Sequence, residues 1–159
     1  MRSQTFLSAF IGTSFTSVAL AAPATVKSNL WQPTNSQSYQ IILTDVLDVS
    51  SGITPDVDIF DIDLFYTPVE TFQKLHAQGK KAICYFSAGT AEDWRPDWSQ
   101  FTAADKGSCL PEWSGERWLN VRSDNVWSIM AKRIQLASEK GCDGIDPDNM
   151  GELILLRNL

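Results

Sequence analysis

Two short segments of the chain place acidic residues where the residues of a buried strand are expected. VDIFDIDLF and GCDGIDPDN both alternate between apolar or small residues and acids. In a strand this alternation puts Asp61 and Asp63 on one face, and it puts Asp146 and Asp148 together on one face of the second segment. Because a buried carboxylate is costly unless it is paired, acids in these positions indicate a functional site.

Simpler roles compete with a site at these positions. Asp and Asn often cap the turn or helix that follows a strand, and for Asp63 this role and a site role are equally compatible with the sequence. For Asp148 a site is favoured, because Asp146 shares its face and Asn149 follows it. A calcium loop beginning at Asp146 is excluded, since Met150 then stands at a ligand position.

The sequence offers little for metal or nucleotide chemistry. His76 is the single histidine, and the three cysteines lack the spacing of a metal site. Glycine-rich phosphate loops and the GxSxG motif are absent. We therefore expect no metal and no cofactor. The formal net charge of −6 argues against a nucleic-acid partner and would suit a cationic substrate.

The cysteines are odd in number, so at least one thiol lacks a partner within the chain. Cys84 and Cys142 fall on neighbouring predicted strands, where they either form a bridge or pack as small apolar residues. A bridge between strands about 4.8 Å apart is geometrically demanding, so we expect packing. We expect Cys109 to be unpaired.

The first residues have the pattern of a signal peptide. Arg2 precedes an apolar run from Phe6 to Leu20, and the small residues around Ala21 suit cleavage before Ala22 or Pro23. The run is too short and too rich in Ser and Thr for a membrane anchor. We predict a signal peptide over residues 1–21, and a mature protein that is secreted, monomeric and free of the membrane.

After a polar N-terminal segment at residues 22–37, strand and helix patterns alternate. Between the third strand and the second helix, residues from Thr90 to Arg117 form a long segment that we predict to be irregular. The order of the elements is typical of a parallel α/β fold with the helices outside the sheet. Strands are predicted near 39–44, 58–63, 81–86 and 143–148, and helices near 68–78 and 124–140.

Both predicted helices carry start and stop signals. Thr67 and Glu70 have the spacing of a capping box before the first helix, and Gly79 follows its end. Ser123 is the expected cap of the second helix, and Gly141 its stop. The residues predicted to face inward are Val69, Phe72 and Leu75 in the first helix, and Val126, Ile129, Met130, Ile134 and Ala137 in the second.

Tryptophans are concentrated in and beside the long segment between the third strand and the second helix. Sugar rings stack their apolar faces on indoles, so this concentration suits a carbohydrate ligand. For any one ring, packing of the segment onto the fold explains its presence at least as well. The four residues concerned are Trp94, Trp98, Trp113 and Trp118.

A family resemblance is carried by four ordered segments: DVDIFDIDLF, KKAICYFSAGTAEDWRPD, WSGERWLNVRS and GCDGIDPDN. Together they resemble glycoside hydrolase family 114, the endo-α-1,4-polygalactosaminidases, of which fungal members are often labelled α-galactosidase-like. The resemblance runs from about Trp31 to Asn149. It implies a secreted TIM barrel that cleaves α-1,4-galactosaminyl or α-galactosyl linkages in a polysaccharide with two carboxylates.

The resemblance also implies roles for individual residues. Asp148 corresponds to the catalytic aspartate, and the substrate-binding positions are Asp63, Tyr85, Ser87, Asp146 and Asn149. The similarity stops at Met150, which makes residues 150–159 a divergent tail. The second catalytic carboxylate, a Glu expected on a later strand, has no counterpart.

The expected fold is therefore the N-terminal part of a (β/α)8 barrel, incomplete, at residues 38–149. Eight such units need about 250 residues. We expect this chain to have little or no hydrolase activity by itself. Two alternatives remain open: a non-catalytic glycan-binding module, and a complete flavodoxin-like domain without an exposed sheet edge.

Overall fold

The fold is built on parallel strands joined by helices. The computed structural model describes residues 30–150. Within that range the strands and α-helices are β1 (Tyr39–Ile42), β2 (Ile59–Asp63), α1 (Val69–Ala77), β3 (Lys81–Ser87), β4 (Thr90–Glu92), β5 (Lys106–Cys109), β6 (Glu116–Leu119), α2 (Asp124–Lys140) and β7 (Gly144–Asp148). Two short 3-10 helices, Trp98–Gln100 and Ala103–Asp105, lie between β4 and β5.

Four strands form a parallel sheet in the order β1, β2, β3, β7. These are the four predicted strands, and their bounds agree with the prediction within two residues. In the part of the chain that the structure describes, β1 and β7 are the two edges of this sheet and do not pair with each other.

Both helices cover the same face of the sheet. Phe60 and Ile62 of β2 pack with Phe72 of α1 and Ala137 of α2 in one buried cluster. Fully burying a side chain of this size stabilises the fold by about 1.5–3 kcal/mol. A flavodoxin-like sheet has helices on both faces, whereas residues 30–150 show helices on one face only. The arrangement is a mixed α/β fold consistent with part of a TIM-barrel-like domain.

The segment between β3 and α2 is not irregular, and that prediction was wrong. It holds an antiparallel sheet in the order β4, β6, β5. Its apolar side packs with the start of α2 in a second buried cluster. These strands have three or four residues, and their paired residues lie 8 to 28 positions apart in the sequence, so they leave no clear local pattern. The buried members of the cluster are Ala91, Phe101, Leu119, Val126 and Ile129.

The predicted helix starts are only partly correct. The capping box of Thr67 and Glu70 does not form, because Pro68 precedes the helix and no side chain caps it. Ser123 takes the N-cap position of α2, but its hydroxyl donates to Asp105 Oδ1 at 2.5 Å instead of capping the helix. The predicted stop is confirmed, since Gly141 adopts the left-handed conformation with φ 90°.

The inward face of α2 differs from the prediction at one turn. Ile134 was expected inside but is 49% exposed, whereas Arg133 is only 2% exposed. The guanidinium of Arg133 donates from Nε and Nη2 to both carboxylate oxygens of Asp97, at 2.8 Å each. Its Nη1 donates to the carbonyl of Ser87 at 2.6 Å. Because Asp97 and the carbonyl of Ser87 accept its hydrogen bonds, the charged side chain of Arg133 is buried on a face where the sequence pattern predicts apolar residues.

The prediction for Cys84 and Cys142 was wrong, whereas that for Cys109 is confirmed. Cys84 and Cys142 form a disulfide with Cα atoms 5.9 Å apart, within the usual range for such bridges. The expectation of simple packing failed because Cys142 lies in the turn before β7 and not in a strand. Cys109 is free and exposed, as predicted.

The described helices do not include one that is long and apolar enough to cross a bilayer. The predicted signal peptide at 1–21 lies outside the described residues, as does the tail beyond Met150.

Candidate active site

The carboxyl ends of three neighbouring strands bring the predicted site residues together. Asp63, Tyr85 and Asp146 occupy one row across β2, β3 and β7. Ser87 and Asp148 pair in the next row, closer to the strand ends. Because side chains two residues apart in a strand share a face, the two rows form one surface at this end of the sheet.

Asp148 is an exposed carboxylate oriented by hydrogen-bond donors. The hydroxyl of Tyr85 donates to its Oδ2 at 2.8 Å, and the backbone N–H of Asn149 donates to its Oδ1 at 2.7 Å. Burial raises the pKa of Tyr85 well above its ordinary value, and the negative charge of Asp148 raises it further. Tyr85 therefore stays a neutral donor and fixes the direction of the carboxylate.

A chain of hydrogen bonds anchors Asn149 to the antiparallel sheet. Its side-chain amide donates to Ser87 Oγ at 2.9 Å, and the hydroxyls of Ser87 and Thr90 lie 2.5 Å apart. Thr90 Oγ1 donates to Glu116 Oε2 at 2.8 Å. Because this series of hydrogen bonds ends on the carboxylate of Glu116, Ser87 Oγ donates to Thr90 Oγ1, and Thr90 Oγ1 donates to Glu116. The pKa of Glu116 is raised, chiefly by burial.

The end of β7 lies directly against the turn that follows β3. The backbone N–H groups of Ala88 and Gly89 both donate to the carbonyl of Asp148, at 2.9 and 3.2 Å. A Cβ atom at Gly89 would overlap the carbonyl of Asn149. Asn149 itself has φ 61°, a left-handed conformation that Asn tolerates better than most residues. The position of Asp148 thus depends on a glycine in the neighbouring turn.

Asp63 lies in the same surface but its oxygens are already engaged. Oδ1 accepts hydrogen bonds from the backbone of Phe65 and Tyr66, both at 2.8 Å, and Oδ2 pairs with Arg95 at 2.7 Å. Arg95 also pairs with Glu92 at 2.8 Å. The structure therefore shows the turn-capping role of Asp63, and its substrate-binding role stays a prediction.

Asp61 and Asp146 form a pair of carboxyl groups on the face opposite the helices. Asp61 is 8% exposed, and its Oδ1 has no hydrogen-bond partner in the described part of the chain. Burial raises the pKa of Asp61 to about 7, and the nearby Asp146 raises it further. Both side chains line a cavity of about 540 Å³.

The tryptophans divide into exposed and packed rings. Trp94 is 43% and Trp113 62% exposed, whereas Trp98 and Trp118 are half-buried, Trp98 against the second apolar cluster. Tyr66 is exposed as well, and its hydroxyl donates to the carbonyl of Trp94 at 3.4 Å. Tyr66 and Trp94 therefore offer exposed aromatic surface close to the end of β2.

Several residues of this surface were not among the predicted site residues. Asp61 was visible as an acid on the Asp63 face, and only its burial and the cavity that it lines together with Asp146 distinguish it. Four more residues reach the site from the antiparallel sheet and from the turn after β4, which no local pattern indicated: Thr90, Glu92, Arg95 and Glu116. Among residues 30–150, no three His, Cys, Asp or Glu side chains are grouped to hold a metal ion.

The chain is similar to known glycoside hydrolases in both sequence and fold. Residues 20–153 match the sequence profile of Glycoside-hydrolase family GH114. The crystal structure of Aspergillus fumigatus Ega3 in complex with galactosamine is 47% identical, with a TM-score of 0.71, over 75% of this chain and 46% of that one. The chain matches no curated protein.

A more distant structure supports the fold alone. The glycoside hydrolase domain of PelA from Pseudomonas aeruginosa is 14% identical, with a TM-score of 0.60, over 70% of this chain and 44% of that one. The chain thus spans less than half the length of either solved structure.

Proposed function

Because the chain belongs to glycoside-hydrolase family GH114, we propose that it supplies the catalytic aspartate of an enzyme that cleaves α-1,4-linked galactosamine polymers. The observation that carries this proposal is the exposed carboxylate of Asp148, held at a strand end by Tyr85 and Asn149. The similarity to Ega3, solved with galactosamine, supports an amino sugar as the substrate class.

The chemistry assigned to Asp148 follows from the general mechanism of glycosidases. One carboxylate attacks or stabilises the anomeric carbon, and a second carboxyl group protonates the leaving oxygen. The donors on Asp148 fix its direction, as the first role requires. Asp146 does not suit the second role, because it stands two residues away on the same strand and approaches a sugar from the same side.

The binding surface suits a cationic polysaccharide. The formal net charge of the chain is −6, and the acids at the strand ends outnumber the cations paired with them. Trp94 and Trp113 offer exposed rings for stacking on neighbouring sugars. The same rings favour a second candidate function, a non-catalytic glycan-binding module, which needs no second carboxylate.

Secretion belongs to the same proposal. The disulfide between Cys84 and Cys142 is typical of proteins that fold in an oxidising compartment. We propose that residues 1–21 direct the chain there as a signal peptide and that the mature protein is a monomer.

The test of the catalytic assignment is a chimaera in which this chain is continued by the C-terminal half of Ega3. We expect it to release oligosaccharides from an α-1,4-galactosamine polymer, and Asp148→Asn to lower the rate at least about 100-fold. Glu139→Gln, an exposed acid on the outer helix, is the matched control and should leave the rate unchanged. Binding of the polymer without cleavage by the chimaera would support the glycan-binding module instead.

A further inference from the structure

Three exposed aromatic side chains, those of Tyr66, Trp94 and Trp113, follow one another along the edge of the fold. The hydroxyl of Tyr66 donates to the carbonyl of Trp94 at 3.4 Å. The backbone N–H of Asp93 donates to the carbonyl of Gly115 at 2.9 Å. The segment of Trp94 therefore runs about 4.8 Å, one strand spacing, from the turn that carries Trp113. Trp94 is thus the middle member of a continuous row, which we call the aromatic rim.

The backbone of the aromatic rim is fixed although its rings face solvent. Directly after Trp94, the N–H of Arg95 donates to the carbonyl of Glu92 at 3.1 Å. Arg95 is only 6% exposed, and its guanidinium carbon lies 5.2 Å from the centre of the Tyr66 ring. Ion pairs with Glu92 and Asp63 hold it there. Rings on a fixed backbone lose little conformational freedom when a ligand binds, which favours recognition.

Packing of the fold does not account for these rings. Trp98, by contrast, is half-buried against the second apolar cluster. A single exposed ring, such as Trp127 on α2, is ordinary on a protein surface, whereas contiguous exposed aromatic surface marks a binding region. The aromatic rim is therefore a surface for a ligand.

Acidic residues within the aromatic rim indicate a polar ligand. Asp93 and Glu112 directly precede the two tryptophans in the sequence, and both are exposed. A Cβ atom at Gly115 would lie 2.8 Å from Asp93 Oδ1, so this carboxylate lies at the turn beside Trp113. The cores of protein interfaces are depleted of charge, and an anionic lipid surface would repel these acids. A sugar, which has an apolar ring face and a polar edge, matches both the rings and the acids.

The aromatic rim begins next to the proposed active site. The N–H of Tyr66 donates to Oδ1 of Asp63, the last residue of β2, at 2.8 Å. Only β3 separates β2 from β7, so the end of β2 lies about 10 Å from the end of β7 that carries Asp148. At its other end, Trp113 lies in the turn between β5 and β6, outside the parallel sheet. A polymer bound at Asp148 can therefore extend from the parallel sheet across the antiparallel one.

We propose that the aromatic rim is a second binding region, in which Tyr66, Trp94 and Trp113 stack on successive sugars of the polysaccharide that occupies the site at Asp148. This region rests on the proposed function, because it takes a further part of the same substrate. It acts by stacking, so it determines how long a chain binds well and not which sugar is selected. A longer chain gains a stacking contact at each ring that it reaches, without a new association step.

The experiment measures binding to the 159-residue chain by isothermal titration calorimetry. The two ligands are the disaccharide of α-1,4-linked galactosamine and a long oligomer of the same sugar. We expect the wild type to bind the long oligomer at least about 10-fold more tightly than the disaccharide. Trp113→Ala should remove most of this gain and leave the affinity for the disaccharide within about two-fold, which also shows that the variant is folded. Trp113→Phe keeps an aromatic ring and should retain most of the gain.

Trp127→Ala is the matched control, because Trp127 is 67% exposed, close to the 62% of Trp113, but lies on the outer helix α2. It should leave both affinities unchanged. Equal binding of the two ligands by the wild type would overturn the second binding region. So would equal effects of Trp113→Ala and Trp127→Ala, or a loss in Trp113→Phe as large as that in Trp113→Ala.

Cleavage by the chimaera with Ega3 separates this inference from the catalytic assignment. If the chimaera cleaves the polymer but Trp113→Ala binds the long oligomer as the wild type does, the aromatic rim is overturned and the glycosidase proposal stands. If the long oligomer binds through Trp113 but the chimaera does not cleave it, the catalytic assignment is overturned and the aromatic rim stands. Failure of the wild type to bind either ligand would overturn both.

Discussion

Asp148 and Asp61 show two ways in which this fold holds an acid. Asp148 stays exposed and receives directed hydrogen bonds, so its orientation is fixed while the side chain remains accessible. Asp61 is buried, and its Oδ1 accepts no hydrogen bond from residues 30–150, so its neutral form is favoured. The first arrangement suits a group that acts on a reacting carbon, and the second favours a carboxyl group that keeps its proton.

The raised pKa of Asp61 predicts a pH-dependent contribution to stability. The folded state binds the proton up to about pH 7, whereas an unfolded aspartate, with the ordinary pKa of 3.8, releases it near that pH. This stabilisation is complete below that value and is lost as pH rises towards 7. We expect the free energy of unfolding of the wild type, relative to Asp61→Asn, to fall by at most a few kcal/mol between pH 4 and pH 7.

Urea unfolding of both proteins at several pH values measures this difference. The comparison between the two proteins cancels the contributions of groups that they share. A difference that stayed constant with pH would contradict the raised pKa and show that Asp61 is charged throughout this range.

Sequence patterns located the acids of the site because alternation in a strand is a local property. Asp61, Asp63, Asp146 and Asp148 could all be placed on the correct faces from residue spacing alone. Whether an acid has an ion-pair partner, however, depends on residues that are distant in the sequence. Arg95 pairs with Asp63 across 32 positions of sequence, and no spacing rule indicates such a contact, so the capping and site roles of Asp63 could not be separated.

At the scale of the elements, Arg133 connects the outer helix to the site. It holds Asp97 through two hydrogen bonds and contacts the carbonyl of Ser87, the last residue of β3. The rings of Phe65 and Phe101 lie 5.0 and 5.7 Å from its guanidinium carbon. Ser87 in turn accepts the hydrogen bond of Asn149. The helix thus fixes the turn on which the position of Asp148 depends.

We expect Arg133→Met to destabilise the fold by about 3 kcal/mol or more, because Asp97 would be left as a largely buried charge without a partner. The change is measured as the shift in the urea midpoint followed by circular dichroism. Lys132→Met, at the exposed neighbouring position, is the matched control and should shift the midpoint little. Equal effects of the two substitutions would show that Arg133 contributes no more than a surface cation.

The disulfide joins two further elements, the core strand β3 and the turn before β7. The bridge spans 58 positions of sequence, and closing a loop of that length restricts the unfolded chain by about 4 kcal/mol. We expect the double substitution Cys84→Ala and Cys142→Ala to lower the free energy of unfolding by about that amount under oxidising conditions. Cys109→Ser, which removes a free thiol, should leave it unchanged.

Reduction of the wild type provides an independent comparison for the same bridge. Reduced wild type and the double variant should unfold at similar urea concentrations, apart from the small loss of buried side-chain volume. If reduction had no effect on the midpoint, the two thiols would be packed without a bond, as the sequence had indicated.

Both helices were predictable because each combines helical periodicity with a glycine stop signal, and the parallel strands because each shows an apolar run or an alternation over four to seven residues. The antiparallel sheet was not, since β4 has three residues and β5 and β6 have four each. Their stability comes from pairing with one another and from packing on α2 through Phe101 and Leu119. Contacts of that kind are tertiary, so local propensity carries almost no information about them.

At the scale of the whole molecule, the described residues form a sheet that is covered on one face. The helices bury the side formed by Phe60, Ile62 and their neighbours, while the other side carries the acid pair and the cavity of about 540 Å³. In a (β/α)8 barrel this second side faces the interior, and the active site lies at the carboxyl ends of the strands. The position of Asp148 agrees with that location.

The final prediction concerns the activity of the 159-residue chain itself. Hydrolysis of a glycosidic bond needs two carboxyl groups in defined positions, and Asp148 is the one that the family resemblance assigns here. Loss of a general acid lowers the rate by about 10²–10⁴. We therefore expect the purified chain to bind α-1,4-linked galactosamine but to release oligosaccharides at least about 100-fold more slowly than the chimaera with Ega3.

Mass spectrometry of the released sugars, at equal protein concentrations, measures this ratio. Comparable rates would mean that a second carboxyl group already acts within this chain. Glu116 would then be the first residue to substitute, because it is buried, has a raised pKa and is connected to Asn149 through Ser87 and Thr90. A loss of activity in Glu116→Gln with retained binding would identify it as that group, and would contradict the expectation of a later glutamate.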